Sequence, residues 1–172
     1  SNDTLYFNPP DGYWSDGETI YVQLIAADDI YGNTLQSPVS WSFFIDYSPP
    51  FAQMTSPPDS SATYNREEPV SIRIVDNLSG VWVDSCVVSF GGHSFNLSDV
   101  LFQISADSLL AQVLFDPSEW GIVWYPGETV VVTADLCDHP DTCGPNCEVY
   151  SWWFVLPVDV PCARVPNPFT PN

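Results

Sequence analysis

Three of the five cysteines lie close together near the C-terminal end of the chain, where they could form a disulfide. Cys137, Cys143 and Cys147 fall in the loop between the last two predicted strands. Their spacing differs from the paired pattern of structural zinc sites, although His139 lies beside them. We interpret the acidic, Trp-rich, lysine-free composition as extracellular, and we therefore expect disulfide chemistry.

Two disulfide pairings fit this cluster. Cys137 with Cys143 encloses five residues and would close a compact turn, so it is the first prediction. Cys137 with Cys147 would join the two strands and is the alternative. Either bond stabilises the fold by about 2 kcal/mol in the loop-length model. Cys86 is a further candidate for disulfide formation, and Cys162 could pair outside this segment.

Acidic loops provide the second candidate chemistry, because calcium prefers six to eight oxygen ligands, largely from carboxylates and carbonyls. The candidate calcium ligands are Asp28, Asp29 and Asn33 in one loop, and Asp135, Asp138, Asp141 and Asn146 in its counterpart. Asp76 and Asp84 flank a further loop of this kind. The alternative is an ordinary solvated turn, in which Asp and Asn tolerate left-handed backbone geometry.

Charge excludes several classes of function. The chain has 22 acidic residues against 3 arginines, no lysine, and a net charge of −19. This surface repels phosphates, so nucleic acids and anionic membranes are poor partners, whereas divalent cations are attracted. Lysine-dependent chemistry is impossible. His93 and His139 lie in no nucleophile motif, and carboxylate pairs are expected by chance, so we predict no catalytic residues.

Seven tryptophans suggest either a structural or a binding role. Trp14 and Trp124 each precede a Gly-Glu-Thr turn, and this recurrence favours a structural role at the end of a sandwich. Trp120 lies in the same apolar segment as Trp124. The alternative is a row of exposed rings (Trp14, Trp120, Trp124) that stacks on sugars.

Short apolar segments separated by Gly, Pro, Asn and Asp predict an all-β fold of sandwich type. The expected strands of the first part are residues 4–8, 18–26 and 39–46. Those of the second part are residues 52–55, 69–75, 81–90, 93–96, 99–105, 109–115, 128–136 and 148–155.

An internal repeat defines the size of one module. The segment WSDGET at 14–19 matches WYPGET at 124–129, and SWSF at 40–43 matches SWWF at 151–154. The offset of about 110 residues predicts a complete module at 48–156. Residues 1–47 then form only the C-terminal half of a module, and residues 157–172 form a Pro-rich linker or tail.

The repeated elements resemble bacterial Ig-like repeats that occur in tandem on large secreted or cell-surface proteins. The matching segments are GETIYVQL, ADDIYGNTL and SWSFFID in the first part, and GETVVVTADLCD, CGPN and YSWWFV in the second. DNLSGV at 76–81 is similar to a loop of related repeats. The tail PNPFTPN at 166–172 resembles the start of a hook-capping-like or secretion-sorting domain.

This resemblance implies an Ig-like antiparallel β-sandwich and an extracellular or cell-surface location. We expect a non-enzymatic structural protein that acts as a spacer, adhesin stalk or assembly element. Its expected partners are neighbouring Ig-like domains or other copies of itself, and calcium is the one candidate cofactor. Two alternatives are a filament subunit completed by strand addition from a neighbouring chain and a carbohydrate-binding accessory module.

Overall fold

The computed structural model describes residues 6–10, 12–139 and 144–158, apart from the side chain of Leu101. Asp141, Cys143, Cys162 and most of the predicted tail therefore lie outside the described residues. The described part contains eleven β-strands and two short 3₁₀ helices, at Leu97–Asp99 and Pro117–Trp120, and no α-helix. None of its helices has the length and apolar character needed to cross a membrane.

The strands follow one another along the chain with short connections. They are β1 (Thr19–Leu24), β2 (Val39–Phe44), β3 (Phe51–Ser56), β4 (Ser61–Ala62), β5 (Val70–Val75), β6 (Val87–Phe90), β7 (His93–Asn96), β8 (Leu101–Ile104), β9 (Leu110–Phe115), β10 (Thr129–Cys137) and β11 (Cys147–Val155).

The strands form three sheets. β1 and β2 make a two-stranded sheet, β4-β11-β10-β6-β7 make a five-stranded sheet, and β3-β5-β9-β8 make a four-stranded sheet. All neighbouring strands are antiparallel except β4 and β11, which are parallel. The prediction of an all-β, antiparallel fold is confirmed.

One hydrophobic core lies between the five-stranded and four-stranded sheets. Along β5, residues alternate between buried and half-buried positions, as expected for a strand with one face on a core. Ile72 and Ile74 of β5 join Val132 of β10 and Phe154 of β11 in one cluster of buried side chains. The two larger sheets therefore pack face to face.

The sequence placed some strand boundaries incorrectly. The predicted strand at 81–90 begins only at Val87, because residues 82–85 form a turn in which Ser85 N donates to the carbonyl of Trp82. The short strand Ser61–Ala62 was not predicted, since two residues give no periodicity. In the described part of the predicted strand at 4–8, no strand forms.

The internal repeat is a structural repeat as well. The turn before β1 and the turn before β10 each contain a glycine with positive φ, +75° at Gly17 and +87° at Gly127. Gly17 N donates to Ile45 O at 2.8 Å, and Gly127 N donates to Leu156 O at 2.6 Å. The β1–β2 hairpin is therefore built like the β10–β11 hairpin.

The two hairpins differ in burial, which predicts different costs for equivalent mutations. Trp152 on β11 is 4% exposed, whereas its counterpart Trp41 on β2 is 51% exposed. We expect Trp152→Ala to lower the free energy of unfolding by about 3–5 kcal/mol. Trp41→Ala is expected to cost about 1 kcal/mol or less. Urea titration of both variants measures the difference, and equal losses would contradict the described packing.

Candidate divalent-cation site

Three carboxylates converge at one end of the two larger sheets. Asp46, Asp76 and Asp138 are 2%, 3% and 0% exposed, and one oxygen from each lies within 4.8 Å of the others. Among the described residues, no other group of three acidic, histidine or cysteine side chains converges in this way. Buried carboxylates are costly unless they are paired, hydrogen-bonded or bound to a metal.

The strand topology explains why distant parts of the chain meet here. β3 runs antiparallel to β5, with Phe51 opposite Val75, so the segment before β3 and the segment after β5 lie at the same end. That arrangement brings Asp46 to Asp76. Asp138 directly follows β10 and forms an isolated bridge with Val81, which places it at the same end.

Backbone amides hold the first two carboxylates in position. Oδ1 of Asp76 accepts hydrogen bonds from Leu78 N at 2.9 Å and Gly80 N at 2.7 Å. Oδ1 of Asp46 accepts from Ser48 N at 3.1 Å, and its Oδ2 accepts from Ser79 N at 3.0 Å. Because Asp46 binds Ser79, the segment after β2 is attached to the loop after β5.

Gly80 is required by the close packing of this loop. Its φ is +90°, and a Cβ at this position would lie 3.0 Å from the Cβ of Ser108. A larger residue would be strained in its backbone and would also displace its neighbour. The glycine of the DNLSGV segment therefore allows the loop to fold around Asp76.

Asn146 connects the third carboxylate to the first. Its backbone N and its Nδ2 donate to Oδ1 and Oδ2 of Asp138, both at 2.6 Å. The same Nδ2 also donates to the backbone carbonyl of Asp46 at 3.0 Å. One asparagine thus orients two members of the cluster.

The electrostatics of the cluster are unfavourable for three negative charges. Burial raises the pKa of Asp138 above its ordinary value of 3.8, and the hydrogen bonds from Asn146 oppose this rise. The charges of Asp46 and Asp76 raise the pKa of Asp138 further. Of the two described arginines, Arg66 donates from its Nε to Trp124 O, and the Nε of Arg73 is buried without a hydrogen-bond partner among the described residues.

The chain segment that carries Asp46 is also attached to the β1–β2 hairpin. Asp16 accepts hydrogen bonds from Tyr47 N at 2.7 Å and from Ser48 Oγ at 2.6 Å. The hydrogen bond from Ser48 is the main reason why the pKa of Asp16 is lowered, followed by the bond from Tyr47. The segment 46–50 is therefore held by the hairpin on one side and by the acidic cluster on the other.

The predicted calcium ligands only partly meet in the structure. Asp138 and Asn146 belong to the cluster, whereas Asp135 is exposed on β10 and Asp141 lies outside the described residues. Asp76 joins the cluster but Asp84 is exposed. The sequence treated the loops of Asp76 and Asp138 as separate sites, and the structure combines them.

The other predicted loop is an ordinary turn in this structure. Asp28, Asp29 and Asn33 are exposed, and Oδ1 of Asp29 accepts from Tyr31 N at 2.9 Å and Asn33 N at 2.8 Å. Hydrogen bonds from Asn33 lower the pKa of Asp29. These contacts are those of a solvated turn held by an aspartate side chain.

Sequence reasoning did not recognise Asp46 as a member of this cluster. The repeat could not reveal it, because the position equivalent to Asp46 in the second module is Pro157. A usable signal was its place at the end of the predicted strand 39–46, directly before the short segment that leads to β3. A carboxylate in such a short connection must lie at the end of the next sheet, beside the loop after β5.

A disulfide joins Cys137 to Cys147, which confirms the alternative pairing and corrects the first prediction of Cys137 with Cys143. The two cysteines are directly opposite at the ends of β10 and β11. Cys86 is a buried free thiol, so its expected role in a disulfide is wrong. Its Sγ accepts a hydrogen bond from Cys137 N at 3.1 Å, and burial raises the pKa of the thiol.

The candidate sugar-binding tryptophans do not form one exposed row. Trp124 is 1% exposed and its Nε1 donates to Glu68 O at 3.1 Å, so it has the structural role that its recurrence favoured. Trp14 packs edge-on against Phe43, with ring centroids 5.5 Å apart. Trp120 is half exposed.

Comparison of the chain with models of protein families, with curated proteins and with solved structures found no match. The function must therefore be argued from the residues of this chain and their geometry.

The disulfide is expected to hold the acidic cluster together, because Asp138 and Asn146 lie between its two cysteines. We predict that replacing Cys137 and Cys147 by serine lowers the free energy of unfolding by about 2–3 kcal/mol. For a chain of this size, that loss lowers Tm by roughly 5–10 °C. Thermal unfolding by circular dichroism measures it, and an unchanged Tm would show that the disulfide does not stabilise this end.

The burial of Asp138, together with the neighbouring charges of Asp46 and Asp76, predicts an unusual response to pH. The folded state binds a proton at Asp138 more tightly than the unfolded chain does. Its contribution to stability is therefore greatest below pH 3.8 and is lost as the pH rises through the raised pKa. Asp76→Asn keeps an oxygen for Leu78 and Gly80 but removes one of the repelling charges.

We expect Asp76→Asn to raise Tm by about 2–4 °C at pH 7 in a chelator, and to lose this advantage at pH 3. Asp84→Asn is the matched control, because it removes the same charge from an exposed residue. Thermal unfolding across this pH range tests the idea. A lower Tm for Asp76→Asn than for Asp84→Asn at pH 7 would contradict it.

Proposed function

We propose that this chain is a non-enzymatic structural segment of an extracellular protein, made of Ig-like β-sandwich modules in tandem. Its joint between modules is fixed by a calcium ion bound to Asp46, Asp76 and Asp138. One observation carries the proposal: the connecting segment places its own carboxylate, Asp46, in a buried cluster with two carboxylates of the next module.

The donor atoms of the cluster suit calcium. Three carboxylates supply hard oxygen ligands from three different segments of the chain, and water can complete the six to eight ligands that calcium takes. Three carboxylates also give a charge of −3, which a divalent cation would largely neutralise. Extracellular calcium modules bind with Kd values of about 10⁻⁴ to 10⁻³ M, so we expect an affinity in this range.

A cation at this position would act mechanically. Asp46 lies in the segment 46–50, which Asp16 binds from the hairpin side, and Asp76 and Asp138 lie on the larger sheets. An ion shared by all three carboxylates would connect the hairpin to the sheets and limit bending at this joint. Such a stiff joint is what a cell-surface spacer or adhesin stalk needs.

The extracellular location is supported by the chemistry of the chain. The Cys137–Cys147 disulfide is compatible with an oxidising compartment. A net charge of −19 favours solubility and disfavours contact with nucleic acids. Calcium is also abundant outside cells, where a weak site would still be filled.

The proposal predicts that calcium stabilises the folded chain through this cluster. At a calcium concentration 100 times Kd, binding adds about 2.7 kcal/mol to the free energy of unfolding. That gain corresponds to a rise of roughly 5–10 °C in Tm. Thermal unfolding in increasing CaCl₂, with NaCl adjusted to constant ionic strength, measures the effect.

Two matched variants distinguish calcium binding at the cluster from general screening of the negative surface charge by calcium. Asp76→Asn should abolish the rise in Tm, whereas Asp84→Asn should keep it. Calcium should also slow hydrogen exchange at the amides of Ser48 and Ser79, because both donate to Asp46. An equal rise in Tm for both variants would mean that calcium acts on the whole surface, and would overturn the proposal.

A further inference from the structure

One face of the β1–β2 hairpin is apolar and is not covered by another layer of the described chain. The face consists of the directly opposed pairs Ile20–Phe43, Val22–Trp41 and Leu24–Val39. Val39 and Trp41 are 50% and 51% exposed. Trp14, Phe7 and Tyr13 close one end of this face, leaving a groove of about 550 Å³.

Five of the six equivalent positions in the second hairpin are buried, and the sixth, Tyr150 opposite Ala134, is half-buried. The counterparts of Ile20, Val22 and Leu24 are Val130, Val132 and Ala134, and those of Trp41 and Phe43 are Trp152 and Phe154. All five counterparts are at most 4% exposed. They are covered by the sheet β3-β5-β9-β8, which supplies buried side chains such as Ile72, Val113 and Phe115.

The strand edges of the two hairpins differ in the same way. β10 pairs with β6 and β11 pairs with β4, so both edges of the second hairpin are occupied. Within the described residues, β1 and β2 pair only with each other. The β1–β2 hairpin therefore has two unpaired edges and one uncovered face. At the equivalent places, the β10–β11 hairpin has two paired edge strands and a covering sheet.

We propose that the open face and both edges of β1–β2 bind one occupant: a β-sheet unit built like residues 51–115 of this chain and supplied by the same polypeptide. In the complete module, the covering sheet and both edge strands precede the hairpin in sequence. The repeat therefore places the missing unit before β1. An apolar sheet that fills the groove would bury Trp41, and the removal of this apolar surface from water favours binding.

A second copy of this chain fits the surface less well. Two hairpins packed face to face would cover both apolar faces, but they would leave the edges of β1 and β2 unpaired. Each copy also carries a charge of −19, which opposes association between copies. This inference does not depend on the cation site, which lies at the other side of the joint segment and involves none of the face residues.

The test starts with the 172-residue chain, because the proposal predicts that its face stays uncovered. We expect a monomer by light scattering at all concentrations. We also expect amides of β1 and β2 to exchange at least about 100 times faster than those of β10 and β11. A dimer that Trp41→Asp dissociates would show that a second copy covers the face, and would overturn the proposal. Equal protection of both hairpins in a monomer would also overturn it.

A chimera then supplies the proposed occupant. In this chimera, a second copy of residues 48–123 is joined directly to the N-terminal side of Trp14. The junction reproduces the one between residue 123 and Trp124 in the complete module. We expect exchange at β1 and β2 to slow by at least about 100-fold and the fluorescence of Trp41 to shift to shorter wavelength. The control chimera carries Ile72→Asp and Val113→Asp in the added copy only, and it should show neither change.

Leu24 is larger than its counterpart Ala134, so a tight fit could be prevented by this one residue. A second chimera with Leu24→Ala removes that obstacle. If β1 and β2 remain as rapidly exchanging in both chimeras as in the control, the proposed occupant is wrong.

Discussion

The repulsion among three buried carboxylates is the constraint on which the joint depends. Asp46, Asp76 and Asp138 come from three separate segments, yet one oxygen of each lies within 4.8 Å of the others. Two like charges at about 4 Å repel by about 4 kcal/mol at an effective dielectric constant of 20. Hydrogen bonds from Ser79, Gly80 and Asn146 offset part of this cost. A divalent cation bound by all three carboxylates would neutralise the remaining repulsion. It would also connect the hairpin to the larger sheets.

The chain contains the same hairpin twice, once covered and once open. Each hairpin follows a turn that contains a glycine with positive φ, and each has aromatic residues at equivalent positions of its second strand. The two hairpins are therefore built in the same way. Only β10–β11 has a covering sheet in the described chain, and only there are the tryptophan and phenylalanine of the second strand buried. Under the two proposals, the joint would connect an end that accepts a neighbouring sheet to a module whose hairpin is already covered.

The sequence predicted most of the strands, and it named every member of the acidic cluster except Asp46. Alternation along TIYVQL and VSIRIV identified β1 and β5, because one face of each is apolar. Asp76, Asp138 and Asn146 were identified because acidic loops can be recognised from the local sequence, although the loops of Asp76 and Asp138 were taken as separate sites. Asp46 was missed because its partners lie 30 and 92 residues away, and only the pairing of β3 with β5 brings them together. The Cys137–Cys147 bond was ranked second for the same reason, since the register of β10 and β11 decides it.

The most direct test of the shared cation site is isothermal titration of calcium into the chain, compared with Asp46→Asn. Asp46 is the carboxylate that the joint itself contributes, so the variant separates a shared site from a site on the larger sheets alone. If the three carboxylates share a calcium ion, one ion binds per chain in a saturable way, with a Kd of about 10⁻⁴ to 10⁻³ M. A shared site also predicts at least about tenfold weaker binding in Asp46→Asn, or about 1.4 kcal/mol. Unsaturable heat, or the same Kd in both proteins, would contradict a cation that fixes the joint.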